Sequence, residues 1–156
     1  MASQEPNYWL MKSEPDVYGI DDLKNEEETL WDGIRNYQAR NFMRDMKAGD
    51  LAFFYHSNCK PPGIIGLMEV IETRLVDPTQ FDQKSNYYDP KSKQDAPRWD
   101  CAKLKYIKKY SKLLSLKDIS EIFDPTDLIL IRKGNRLSIM PVIPSVAEKF
   151  FKLLDN

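Results

Sequence analysis

A Trp, a Tyr, a Phe, two Arg, two Asn and a Gln fall within the twelve positions 31–42 (WDGIRNYQARNF). Flat aromatic faces take stacked bases, and Asn, Gln and Arg pair with base edges. A segment built only for packing would not spend so many amides and guanidiniums. A packing reading is also open: Trp31 can be core, and Arg35 and Arg40 can pair with nearby acids. The residues by themselves leave both readings standing.

Two smaller groups have similar chemistry. Residues 132–138 (RKGNRLS) place Gly134 and Asn135, which permit a turn with positive φ, among three cations. That suits a clamp on a phosphate backbone, and taken alone it equally suits an exposed hairpin. Lys12, Ser13 and Glu14 precede Pro15 at what reads as a strand end, a place where ligands often sit.

Other chemistries find little support. The single His, His56, is followed by Ser57, but neighbours on a strand point to opposite faces, so the two cannot pair as base and nucleophile. His56 reads as a hydrogen-bonded structural residue or as one wall of a pocket. No GxGxxG, GxxxxGK[ST], HExxH or CxxC motif occurs. Glu14, Asp16, Asp21 and Asp22 could hold a metal, but acids at a helix start are better explained by the helix dipole. Two cysteines, Cys59 and Cys101, make no disulfide framework and are read as reduced thiols.

The elements that must position these groups follow from periodicity. Strands are expected at 8–12, 51–56, 64–76 (one strand, or two joined by a bulge), 99–107 and 136–140. Short helices are expected at 20–24 and 39–46, where apolar residues fall at helical spacing. Ser115 reads as a helix N-cap, and Ser145 with Glu148 as a capping box before a final amphipathic helix. Residues 81–97 read as a polar loop carrying Tyr87 and Tyr88. Five or six short strands and three or four short helices without long crossovers exclude a doubly wound sheet. The expected class is α+β, with a curved or barrel-like mixed sheet.

Composition sets the outer limits. At 156 residues, 42% hydrophobic and 30% charged, the chain can bury one core and does not read as disordered. Residues 1–6 read as a disordered tail and 7–154 as one domain, soluble and intracellular, with no membrane contact. The net charge of −1 argues against a charge-driven nucleic-acid coat. It hides an asymmetry: residues 1–34 hold two Lys against nine carboxylates, and residues 91–117 hold eight Lys and one Arg against two Asp. Such runs are commonly two solvated faces of opposite sign; the basic one could also guide a phosphate backbone.

Residues 8–15 (YWLMKSEP), 31–43 (WDGIRNYQARNFM), 54–58 (FYHSN) and 136–138 (RLS) together resemble the EVE domain family. Residues 87–92 (YYDPKS) and 97–99 (PRW) fit as well. The resemblance implies a PUA-like fold, a compact mixed β-barrel with flanking short helices, related to the YTH domains. It implies a reader that captures a modified base, modified cytosine in DNA ahead of RNA, as a monomer without catalytic residues, metal or cofactor. Carried over by position, the pocket takes Lys12, Ser13, Glu14, Trp31, Arg35, Asn36, Tyr37, Tyr55, His56 and Ser57, with Trp99 and Arg136 nearby. Arg40, Lys103, Lys105 and Lys133 are the expected backbone contacts. Trp31→Ala is then expected to weaken binding without unfolding the domain. Such a chain would be cytoplasmic in a bacterium and nuclear in a eukaryote.

Two other readings belong to different classes. PUA-like relatives of the ASCH type suggest hydrolysis of modified nucleosides, with Lys12 as nucleophile or base and Glu14 beside it on one strand face. The loop with Tyr87 and Tyr88 could instead dock a protein partner.

Overall fold

The apolar strings of the sequence become the centre of one sheet in the computed structural model, which describes residues 5–155. Strand β1 (Tyr8–Ser13) and strand β3 (Leu51–His56) are nearly unbroken apolar runs, as strands covered on both faces must be. They pair in parallel, Tyr8 opposite Leu51 through Ser13 opposite His56. Between them the chain forms α1 (Pro15–Tyr18), α2 (Ile20–Glu26), β2 (Glu28–Trp31) and α3 (Tyr37–Arg44). Next come β4 (Gly63–Val76), β5 (Asp100–Ser115), α4 (Leu116–Ile122), β6 (Ile139–Val142) and α5 (Pro144–Leu154).

The six strands run in the order β2-β5-β4-β3-β1-β6. Every pairing except β1 with β3 is antiparallel. The expected α+β class with short helices around a mixed sheet is borne out. The hydrogen-bonded ladder leaves the sheet open, with β2 and β6 as its outer strands. β4 and β5 are the long strands, and their ladder shifts register four times. Such bulges bend and twist a strand pair.

Strand alternation divides the core. Trp9, Met11 and Phe54 face one side with Trp31, Ala39 and Met43, beneath α2 and α3. Leu10, Phe53 and Tyr55 face the other with Ile119 and Phe150, beneath α4 and α5. Asp50 is one of the buried polar residues. It is 3% exposed and accepts from the Trp9 indole, Asn7 N and Lys47 N.

Several local expectations are corrected. β2 was not foreseen, because four residues with one acid carry no alternating signal; its pairing with β5 makes it. β5 continues to Ser115, eight residues beyond the expected end, since its bulges move lysines between faces and disguise the period. β6 begins at Ile139 and runs through Pro141. An edge strand tolerates proline because its outward N–H needs no partner. Ser115 caps α4 as expected, its Oγ accepting from Asp118 N at 3.1 Å. The capping box at Ser145 does not form: α5 starts two residues earlier than that cap implies, at Pro144, with Ile143 in the cap position. The first four residues of the expected disordered tail lie outside the described residues. Among the described residues no helix is long and apolar enough to cross a membrane.

Candidate functional site

β1 and β3 both end at Ser13 and His56, and a cleft of about 620 Å³ opens beyond that end. Pro15 stops β1 and starts α1, so Lys12, Ser13 and Glu14 reach the cleft at the point where the ladder closes. Ser57 N donates to Ser13 O at 3.0 Å, and Lys12 N donates to Ser138 O at 2.8 Å. These bonds bring Ser57 and the segment of Arg136 and Ser138 to the same rim. Ser13 Oγ donates to Tyr18 O at 2.6 Å, which holds α1 against it.

The floor is apolar. Trp31 is 7% exposed and meets Phe54 edge-on at 5.5 Å, and Ile34 is 8% exposed. Leu30 and Val17 add exposed apolar wall, and Tyr87 closes one side. The polar rim carries Lys12 and Arg136, neither with an acidic partner among the described residues. It also carries Glu14, which accepts from Asn58 Nδ2, together with Glu26 and Asp32. Burial lowers the pKa of the Lys12 amine. Desolvation first and the charge of Asp77 second raise that of the Asp32 carboxyl. The Tyr18 hydroxyl is pushed up to about 12, first by burial and then by its bond to Glu26.

The wall beyond Trp31 is held from behind. Asp77 is fully buried and accepts from Gly33 N at 2.8 Å, Arg35 Nη1 at 3.0 Å and Thr79 N at 2.8 Å. Arg35 also donates to Tyr87 O through Nη2 at 2.7 Å and Nε at 2.9 Å. One guanidinium therefore ties the turn at Gly33 to the loop carrying Tyr87. Gly33 has φ +78°, and a Cβ there would lie 2.8 Å from the Tyr87 ring. Gly33→Ala is expected to lower stability by about 1–2 kcal/mol from the left-handed backbone alone, and to push Tyr87 off the cleft. Thermal melts and a loss of ligand affinity would check this.

Of the residues expected in the pocket, Lys12, Ser13, Glu14, Trp31, Ser57 and Arg136 line the cleft; six others stand outside it. Arg35 is the clamp behind the wall. Asn36 caps α3, its Oδ1 accepting from Ala39 N at 2.9 Å. Tyr37 and Trp99 stack on each other at 4.9 Å outside the cleft. Tyr55 is 2% exposed on the opposite face of the sheet. His56 Nε2 accepts from Ile20 N at 3.1 Å, and burial lowers its pKa, so it serves as a neutral acceptor. Trp31 is at once core and cleft floor, so its truncation should cost stability as well as binding.

The expected backbone contacts are dispersed. Lys103 sits 3.4 Å from Glu28 and 3.9 Å from Glu72, so the acidic and basic stretches of the chain partly meet each other. Lys109 does the same with Asp21 at 2.9 Å. Lys105 and Lys133 are exposed, and Arg40 lies over the Tyr37 ring. Asp32, Ile34, Leu30, Tyr18 and Tyr87 line the cleft and were not expected there. Asp32 and Ile34 stood inside the polar string, and only its turn at Gly33 decides which of its side chains face inward. β1 ends at Ser13, so Glu14 stands just beyond the strand as the extended cap residue of α1, and it lines the cleft together with Lys12.

The family model described as EVE domain matches residues 7–153. Thymocyte nuclear protein 1 of Danio rerio is 50% identical, over 94% of this chain and 71% of that protein. A crystal structure of a Pseudomonas putida protein is 42% identical, over 94% of this chain and 98% of that one, with a TM-score of 0.91. The human THYN1 protein, solved in complex with DNA containing 5-methylcytosine, is 37% identical, over 96% of this chain and 98% of that one, with a TM-score of 0.90.

Proposed function

The chain belongs to the EVE domain family, and on that footing we propose that it captures a modified base, a modified cytosine in DNA, in the cleft floored by Trp31. The observation that carries this reading is the pairing of an apolar floor with a polar rim whose cations and Asp32 have no ion-pair partner among the described residues. The 5-methylcytosine DNA bound by the human relative supports the choice of base. A nucleotide leaves its stack at a cost of a few kcal/mol, offset by stacking and edge hydrogen bonds inside the protein. Trp31 supplies a flat wall, and Leu30 and Ile34 supply the apolar surface that senses an added methyl group. A snug contact of that kind is worth about 1–3 kcal/mol. Asp32 accepts from the exocyclic amine, as carboxylates do with cytosine. Lys12 and Arg136 hold the phosphates on either side, with Arg40, Lys105 and Lys133 further out and Lys103 contributing where its acidic partners release it. The protein acts as a monomer, without metal or cofactor, in the nucleus if its source is eukaryotic.

Fluorescence-anisotropy titration with short oligonucleotides, alike except for one plain or methylated cytosine, tests this at two salt concentrations. The methylated strand should bind about tenfold or more tightly. Equal, salt-sensitive affinities would leave only a general basic surface.

A pH dependence follows from Asp32. Its raised pKa means that it takes a proton at a higher pH than a free aspartate. The ionised form is the better acceptor, so affinity should be complete above that value and fall as the pH drops through it. Asp32→Asn keeps an acceptor oxygen and should remove this part of the pH profile. A profile identical in Asp32→Asn would assign the amine to another group.

The hydrolase reading keeps one supporting observation, the Lys12 amine whose pKa burial lowers, which favours a neutral nucleophile. Turnover of a modified nucleoside, lost in Lys12→Ala, would establish it. A broad nucleoside panel without turnover would end it.

A further inference from the structure

From the cleft rim outward, five side chains form an unbroken ladder of rings and guanidinium groups. It starts at Tyr87 on the cleft rim. The Arg35 guanidinium carbon lies 5.8 Å from the centre of that ring and 5.2 Å from the Trp99 ring. Trp99 stacks on Tyr37 at 4.9 Å with 24° between the planes. Arg40 then lies 4.8 Å from the Tyr37 ring and 5.8 Å from Trp99. We propose that the outer end of this ladder, the open face of Tyr37 beside Arg40, is a second stacking station for a nucleobase flanking the captured one.

The exposure pattern is the first reason. Trp99 is 4% exposed, whereas Tyr37, stacked on it, is 52% exposed. An exposed tyrosine is ordinary by itself, but one stacked on a buried tryptophan presents a flat, supported ring to solvent. Geometry is the second. Arg40 lies 4.8 Å from Tyr37 but only 5.8 Å from Trp99, too close for the guanidinium and the indole to sandwich the tyrosine between them. The outer face of Tyr37 is therefore uncovered by the guanidinium.

The third reason is rigidity. Tyr37 opens α3, whose start is capped by Asn36 and whose Ala39 and Met43 are core. Trp99 is pinned through its indole N–H to Asp89 at 2.7 Å and its backbone N–H to Gln80 Oε1 at 3.1 Å. A base arriving on this platform orders little that is not already ordered, which lowers the entropy cost of binding. Arg40 is bonded only to neutral oxygens, Arg98 O and Asn41 Oδ1, and keeps its charge for a nearby phosphate. An aromatic face flanked by an arginine is the usual platform for an unpaired base of any sequence.

The proposal rests on capture of the modified base in the cleft, and its test separates the two. The probes are short single strands with one 5-methylcytosine, either intact or abasic at one of the two positions on each side, plus the intact strand with plain cytosine. Wild-type protein should lose about tenfold or more in affinity when one particular flanking position is abasic. Tyr37→Ala should lose as much on the intact strand and become indifferent to the abasic site. Tyr37→Leu, which still covers Trp99 but offers no flat face, should behave like Tyr37→Ala, and Tyr37→Phe like wild type. Melting curves establish that each variant is folded. Indifference of the wild type to every abasic position, or full abasic sensitivity retained in Tyr37→Leu, overturns the second station and leaves the capture reading standing. Equal affinity for methylated and plain strands brings down the capture reading, and the second station with it.

Discussion

Trp31→Ala is expected to cost about 3–5 kcal/mol of stability, the usual loss for a buried tryptophan truncated to alanine, and to abolish selective binding at the same time. The ring is 7% exposed, packs edge-on against Phe54, and shares a buried cluster with Met11, Leu23 and Met68. Domains of this size are stable by about 5–15 kcal/mol, so the variant keeps a thin margin. Urea denaturation measures the first loss, and binding of methylated DNA under conditions where the variant is still folded measures the second. Trp31→Phe retains a ring against Phe54 and should recover most of the stability, but a smaller part of the affinity, because its face is smaller. A Trp31→Ala variant that keeps wild-type selectivity while folded would move the stacking surface elsewhere in the cleft.

Arg35→Ala is expected to be nearly as damaging, although Arg35 lies behind the cleft. Its partner Asp77 is fully buried, and removing one member of such a pair leaves a charge without compensation, typically about 3–5 kcal/mol. The low end applies, since Gly33 N, Thr79 N and Thr79 Oγ1 still donate to Asp77. The same variant frees Tyr87 O from two hydrogen bonds, so the cleft loses its hold on that wall. Arg35→Lys should not rescue it, because one ammonium cannot reproduce a fork that reaches Asp77, Thr79 and Tyr87 together. Affinity and chemical denaturation should fall together in both variants, and Asp77→Asn should fail in parallel.

How far the site could be read in the sequence varies within a single string. Residues 31–42 carry too many polar groups for a core segment, and that excess is visible without coordinates. The structure gives almost every member a different task. Trp31 is floor, Gly33 is a left-handed turn, Arg35 is a clamp, Asn36 is a cap, and Tyr37 faces outward. The direction of each side chain depends on partners far along the chain: Asp77 is 42 residues from Arg35, and Tyr87 is 52. Local spacing contains nothing about them.

The fold was more legible where burial on both faces leaves an apolar run, as in β1 and β3, and where a cap has its own chemistry, as at Ser115. It was less legible in β2, made only by its neighbour, and along β5, whose bulges break the period. The charge asymmetry also reads differently in three dimensions. β2 and α2 lie against β5, so part of the basic run is spent on Glu28 and Asp21. Surface pairs of this kind are worth about 0–1 kcal/mol, weak enough for a phosphate to displace.

The most direct measurement is isotope-filtered NMR of the complex with a DNA strand carrying one 5-methylcytosine whose methyl carbon alone is 13C-labelled. Capture in the cleft predicts cross-peaks from that methyl to the Trp31 ring and to the side chains of Leu30 or Ile34, lost on adding excess unlabelled methylated strand. Cross-peaks only to the lysine face around Lys103 and Lys105, or none in a saturated complex, would contradict capture in the cleft.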